Sequence, residues 1–204
     1  MSIEGSITKS NFIDYDKALN VGLKLMKREL LNGYAAKFNN EELKTYPNKE
    51  ANFGFYIIVA INTGLRIGDI LNLKREDFEK GFIEFREQKT SKAKKVKFNE
   101  IILKQFKDVG WFGHNGDVFF SQKNSVYSRQ QINRKLKQVF KSKDKNISSH
   151  SLRKTFGRRV YENNNQSEYA LMKLSELYNH SSLKITRDYL DITQEELNDI
   201  YMSL

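Results

Sequence analysis

Apolar residues recur at helical spacing from about Asp14 to Leu31, a stripe that Gly33 is placed to stop. A second helix is expected from about Asn48 to Asn62, where FGFYIIVAI at 53–61 is almost continuously apolar, and a short third from Ile67 to Leu73. The period then changes. FIEFR at 82–86 alternates as a strand does, and KKVKF at 94–98 offers it a partner across a turn. Helical spacing returns at about 99–109, 128–142, 151–163 and 167–178, with Ser149 or His150 near a cap. Thr193 and Glu196 stand three apart as a capping box, opening a last helix to about Met202. The expected fold is mainly α with a small antiparallel β-hairpin. One domain is expected to fill residues 1–204: a helical N-terminal extension at 1–47, a core at 48–190 and a C-terminal helix at 191–204.

Composition narrows the class. Hydrophobic residues make up 39% and charged residues 29% of the 204, which is globular rather than disordered. The 35 basic against 25 acidic side chains leave a net charge of +10, a balance suited to a polyanionic partner. Lysine-rich stretches at 89–97 and 134–145 could track a phosphate backbone, the plain alternative being a solvated face. Lys92, Lys94, Lys95, Arg129 and Lys135 are the candidate contacts. With no cysteine, disulfides, thiolate catalysis and cysteine zinc sites are all excluded. The three histidines have no ligand-like spacing, so no metal and no cofactor is expected. The longest apolar run has half of the roughly 18 residues that span a membrane, and MSIEGSITKSNF lacks signal-peptide architecture, so a cytoplasmic protein without a membrane partner is expected.

The chemistry concentrates in a few residues. Arg66 follows Gly64 at the start of the short third helix, and Arg153 lies in SHSLRKTF. Two guanidinium forks converging on one phosphate would neutralise charge that develops during displacement. Tyr189, in LYNHSSLKITRDYL, could attack such a phosphate if a base or positive field helped its hydroxyl, whose free pKa is about 10. His150, on the helical face of Arg153, could supply that help, and a flexible lysine such as Lys89 could protonate the leaving alkoxide. Each residue also has an ordinary reading: a core tyrosine among ten, a capping His150, a turn residue at His180, an ion pair between Arg66 and Asp69. His114 in FGHNGD has no such context and reads as structural.

T-G-L-R at 63–66, Lys89 in the hairpin, H-S-L-R at 150–153, N-H-S-S at 179–182 and Tyr189 nine residues after His180 follow one another in order. In that order and spacing the chain, over roughly 50–190, resembles the catalytic domain of the tyrosine recombinases, or phage integrases. The resemblance implies that family's catalytic-domain fold and a reaction needing neither metal nor ATP. In it Tyr189 forms a 3′-phosphotyrosyl link and frees a 5′ hydroxyl. Arg66 and Arg153 hold the phosphate, Lys89 is the general acid with Lys92 as the fallback, and His150 assists proton transfer. His180 donates to a non-bridging oxygen, and Asp69 buttresses the site. Asn179 stands where glycine is more usual, and asparagine tolerates a left-handed backbone well. The implied partner is double-stranded DNA, bound by a monomer that assembles a homo-tetramer on two duplexes, with accessory DNA-bending proteins possible in addition. In the family the tail often docks on a neighbouring subunit, so Leu197, Ile200 and Tyr201 are expected to pack either there or on their own domain. Topoisomerase IB-like nicking and religation, and a DNA-binding module with idle chemistry, are the alternatives. The 50 residues ahead of the core are too few for the separate N-terminal DNA-binding domain of larger members, so a short natural protein or a catalytic fragment is expected.

Overall fold

A computed structural model describes residues 10–31, 49–86, 93–107, 116–121, 125–141 and 145–192. Lys89, Lys92, Gly33, His114 and the expected helix after Thr193 lie outside these residues. Helix α1 (Tyr15–Leu31) begins where the Asp14 carboxylate accepts the Lys17 amide at 2.8 Å, and packs along α2 (Lys49–Thr63). Every residue from Ala51 to Ile61 is buried. A helix apolar on all sides must be surrounded, and α2 meets α1, α3 (Ile67–Leu71), α5 (Glu100–Lys107) and α7 (Ser149–Asn163). Phe55 of α2 gathers Phe78, Phe98, Phe106 and Phe119 into one aromatic group, with ring centroids 4.8–6.3 Å apart.

The expected hairpin is present. Strands β1 (Phe82–Arg86) and β2 (Ala93–Lys97) pair antiparallel, with Phe82 opposite Lys97 and Arg86 opposite Ala93. Helix α6 (Arg129–Phe140) opens with a capping box: the Ser128 hydroxyl accepts the Gln131 amide, and the Gln131 side chain accepts the Ser128 amide. Two helices escaped the periodicity. In α4 (Arg75–Lys80) only Phe78 is buried, so no stripe could form, and Gly81 ends it in a left-handed turn. The other, α9 (Leu183–Leu190), is two turns long and carries Tyr189.

The buried apolar residues fall into two clusters. The larger surrounds α2, and the smaller contains Tyr161, Ala170, Leu171, Leu174, Tyr178 and Leu190. Helix α7 belongs to both, giving Leu152 to the first and Tyr161 to the second, and α8 (Glu168–Tyr178) and α9 complete the smaller one. The N-terminal segment is tied to this shared helix: the Ile13 amide donates to the Thr155 hydroxyl at 3.0 Å, and that hydroxyl lies 2.6 Å from the Ile13 carbonyl.

Candidate active site

The site forms where the two clusters meet, from turns that each have a local cause. Gly64 closes α2 at φ 62, and a β-carbon there would stand 2.3 Å from the Phe156 ring, so conformation and space both require glycine. The chain then turns so that Arg66 is the extended N-cap residue of α3, with its side chain exposed. Ser148 caps α7 by accepting the His150 amide at 3.2 Å, setting His150 in the first turn and Arg153 one turn further in. Asn179 ends α8 in the left-handed conformation, φ 57 and ψ 46, which the turn from Tyr178 to His180 needs and asparagine tolerates. Ser182 caps α9.

Arg66 and Arg153 lace these turns together. Arg153, 8% exposed, donates from Nη1 to the Gly64 carbonyl, and Arg66 donates from Nη2 to the Tyr178 carbonyl at 3.1 Å. The Arg153 guanidinium carbon lies 4.2 Å from the centroid of the Tyr178 ring. Burial lowers the Arg153 pKa and Arg66 adds to that, while Tyr178, Tyr189 and Asp69 oppose it. Asp69 makes no ion pair with Arg66 among the described residues, and its charge acts weakly on the Arg153 guanidinium.

Tyr189 lies with its ring edge-on to both Tyr178 and His180, centroids 5.3 Å away in each case. Its hydroxyl is buried, with no partner at full hydrogen-bond geometry among the described residues, and the Arg153 guanidinium leans towards it as a weak donor. Burial pushes its pKa up to about 12, against the pull of the Arg153 and Arg66 guanidinium groups. His180 has its Nδ1 3.0 Å from the Thr186 hydroxyl. Partial burial, then Arg153 and Arg66, lower the His180 pKa. His150 is lowered by desolvation and then by Arg153, Lys154 and Arg66. Both imidazoles are therefore neutral at pH 7, able to accept a proton at one nitrogen and donate from the other.

Arg66, His150, Arg153, His180 and Tyr189 thus converge, and Asp69 acts on the same group. The candidate DNA contacts are more mixed. Arg129 opens α6, its Nη2 3.1 Å from where a β-carbon on Gly68 would stand, so it flanks the Arg66 turn. Lys95 forms an ion pair with Glu84 at 3.1 Å and lies 3.5 Å from the centroid of Phe82, and Lys94 takes its place in β2 opposite Phe85. Lys135 is half-buried, its Nζ 5.0 Å from the centroid of Phe53 and 5.9 Å from that of Tyr127. That position gives it a packing role. Lys154, Tyr178, Thr186 and Asp191 were not foreseen at the site. Tyr178 carried one signal, since Leu171, Leu174 and Tyr178 share a helical stripe, but that marks a core and not a support for arginine.

Among the described residues no group of three or more His, Asp or Glu side chains could hold a metal ion, and no helix is long and apolar enough to cross a membrane.

The model of the phage integrase family matches residues 36–196. The chain belongs to the phage integrase family. It is similar to a probable integrase/recombinase, YoeC, of Bacillus subtilis strain 168, with 30% identity over 166 residues, 79% of this chain and 90% of that protein. It is also 23% identical to the tyrosine recombinase XerA of Pyrococcus furiosus over 77% of this chain, but spans only 56% of that relative. In fold it is similar to the crystal structure of XerA recombinase, with a TM-score of 0.63 and 19% identity over 96% of this chain and 65% of that one. The catalytic domain of bacteriophage HP1 integrase has a TM-score of 0.55 at 15% identity, over 95% of both chains. The phage integrase family is that of the site-specific tyrosine recombinases, enzymes of DNA strand exchange, and the mainly helical fold with its single hairpin is their catalytic-domain fold.

Proposed function

We propose that Tyr189 attacks a phosphodiester of double-stranded DNA and holds the cut strand as a 3′-phosphotyrosine. The observation that carries this is its hydroxyl, buried next to His180 in the field of the Arg153 and Arg66 guanidinium groups, with His150 feeling the same two arginines. In the attack the Tyr189 oxygen bonds to phosphorus, the 5′ oxygen leaves, and the phenol proton passes to an acceptor. His150, neutral because its pKa is lowered, is that acceptor.

Arg66 and Arg153 bind the non-bridging oxygens, and their charge offsets the phosphorane's. Arg153 already leans on a carbonyl and an aromatic face, so little reorganisation is needed when DNA arrives. Thr186 holds the ring of His180 in place. Its hydroxyl has one hydrogen and two acceptors in reach, His180 Nδ1 at 3.0 Å and the Ser182 carbonyl at 3.5 Å. When the Thr186 hydroxyl donates to Nδ1 the His180 N–H stands on Nε2 and donates to the phosphate, and when it donates to the Ser182 carbonyl the hydrogen stands on Nδ1. Lys89 protonates the leaving 5′ oxygen, a role supported by its place in the family's motif order. A second strand's 5′ hydroxyl then attacks the phosphotyrosine and restores Tyr189. Four copies on two duplexes complete the exchange, in the cytoplasm where the DNA lies.

A nicked suicide DNA substrate, built from candidate repeats flanking the gene, tests this. Wild-type protein is expected to form a covalent adduct on a denaturing gel, and Tyr189→Phe none. An adduct that persists in Tyr189→Phe, or none in wild type despite specific binding, would overturn the assignment. Plasmid relaxation without strand exchange would point instead to religation of the same strand.

A further inference from the structure

Lys154 is 2% exposed, one of the largest fully buried side chains, and no step proposed above uses it. It follows Arg153 on α7, with its Nζ 2.8 Å from the Asp191 carboxylate and 5.4 Å from the centroid of the Tyr189 ring. Burying an ammonium in place of an apolar side chain is costly, and a close carboxylate only roughly offsets the cost. What such a pair supplies over packing is direction. A methyl group fits a pocket in several orientations, whereas an ammonium and a carboxylate hold at one distance.

The direction matters because of where Asp191 sits. Helix α9 has eight residues, too few to hold its shape alone, and Asp191 is its left-handed C-cap, φ 57, two residues after Tyr189. Between them Leu190 is fully buried, and a β-carbon on Gly157 of α7 would stand 2.5 Å from its Cδ2. Leu190 presses α9 onto α7 but tolerates rotation. A turn by one residue is about 100°, enough to swing the tyrosine ring away from the arginines. The charge on Asp191 itself raises the phenol pKa, so its use to Tyr189 is placement rather than activation.

We propose that Lys154 and Asp191 are a positioning pair that fixes the rotation of α9 on α7 and so aims the Tyr189 hydroxyl at the phosphate. This rests on Tyr189 being the nucleophile. The test uses Lys154→Met/Asp191→Asn, which keeps the volumes and removes both charges, with Asp191→Glu as a milder second variant. Two readouts are taken on the full chain: the rate of adduct formation at saturating suicide DNA, and the fluorine NMR line of 3-fluorotyrosine placed at position 189. The double variant is expected to bind DNA as wild type does and to form adduct about tenfold more slowly, because the reacting atoms are misplaced. Its fluorine line should broaden or move towards that of free 3-fluorotyrosine, and Asp191→Glu should fall between. Either variant, folded and with wild-type adduct rate or fluorine spectrum, overturns the proposal. Absence of adduct from wild type, with the double variant's fluorine line still displaced, would remove the nucleophile assignment and leave the placement standing.

Discussion

Tyr178 holds Arg153 twice: its ring lies under the guanidinium, 4.2 Å from the guanidinium carbon, while its hydroxyl donates to the Arg153 backbone carbonyl at 2.8 Å. The head of the arginine and the helix that carries it are thus set by one neighbour. Burial raises the Tyr178 pKa well above the ordinary tyrosine value, so the hydroxyl stays a donor throughout the working range. Tyr178→Phe keeps the ring and loses the hydrogen bond, and is expected to cost about 1 kcal/mol of stability. Tyr178→Leu loses the aromatic face as well. Thermal melts and adduct rates should rank wild type, Phe and Leu in that order, and equal adduct rates for the two variants would show that the ring does not support Arg153.

Gly157 lies where α9 packs tightly on α7. A methyl there would stand 2.5 Å from Leu190 and 2.6 Å from the Tyr178 hydroxyl. Although alanine favours helix by about 1 kcal/mol over glycine, Gly157→Ala is expected to destabilise by about 1–3 kcal/mol through overpacking. The adduct rate should fall with it, since both displaced residues touch the site. A variant with raised Tm and full activity would contradict the close packing.

Acid should weaken the fold through the two site histidines. Their folded-state pKa values lie below the free value of about 6.5, so the unfolded chain takes up protons first. Stability from this source is fully present above about pH 6.5, declines as pH falls from there towards the folded pKa values, and then levels. Melting curves between pH 7.5 and pH 5 should show a smaller acid loss in His150→Gln/His180→Gln than in wild type. An equal loss would place the acid sensitivity elsewhere.

Thr186 is fully buried and touches no phosphate in the proposed reaction, yet its hydroxyl lies 3.0 Å from His180 Nδ1 and orients that ring. Thr186→Val should slow adduct formation by roughly tenfold while leaving DNA affinity intact, because the donor at His180 remains but loses its orientation. Thr186→Ser should recover most of the rate. If valine is as fast as serine, the Thr186 hydroxyl does not orient His180.

Salt titrations separate two lysines one half-turn apart on α6. Lys137 is exposed, and if it meets a phosphate, Lys137→Ala should shallow the slope of log affinity against log salt by about 1. Lys135 lies over Phe53 and Tyr127, so Lys135→Ala should lower Tm and leave that slope nearly unchanged. A reversed pattern would return Lys135 to the DNA surface.

Much of this was legible in the chain because motif order survives folding. Arg66, His150, Arg153, His180 and Tyr189 could be chosen from sequence, and local rules placed most of them: a glycine at the end of α2, a serine cap before His150, an asparagine turn before His180. The hairpin followed from a two-residue alternation. Helix α9 was not legible, since eight residues of LKITRDYL give too little periodicity to stand out. Lys154 was hidden for another reason. A lysine beside an arginine reads as solvated surface, and only the return of the chain through α8 and α9 brings Asp191 to it. Tyr178 likewise looked like the end of an apolar stripe, because a cation resting on its face leaves no mark in spacing.

The smaller apolar cluster also has a kinetic meaning. Six buried residues, joined to the rest through α7, hold the element that carries Tyr189, whereas the larger cluster surrounds a helix buried on every side. Regions with fewer buried contacts open at lower free energy. Backbone amides of α8 and α9 should therefore exchange with deuterium before those of α2, as a separate cooperative unit, so that Tyr189 and the Tyr178 support of Arg153 are released together.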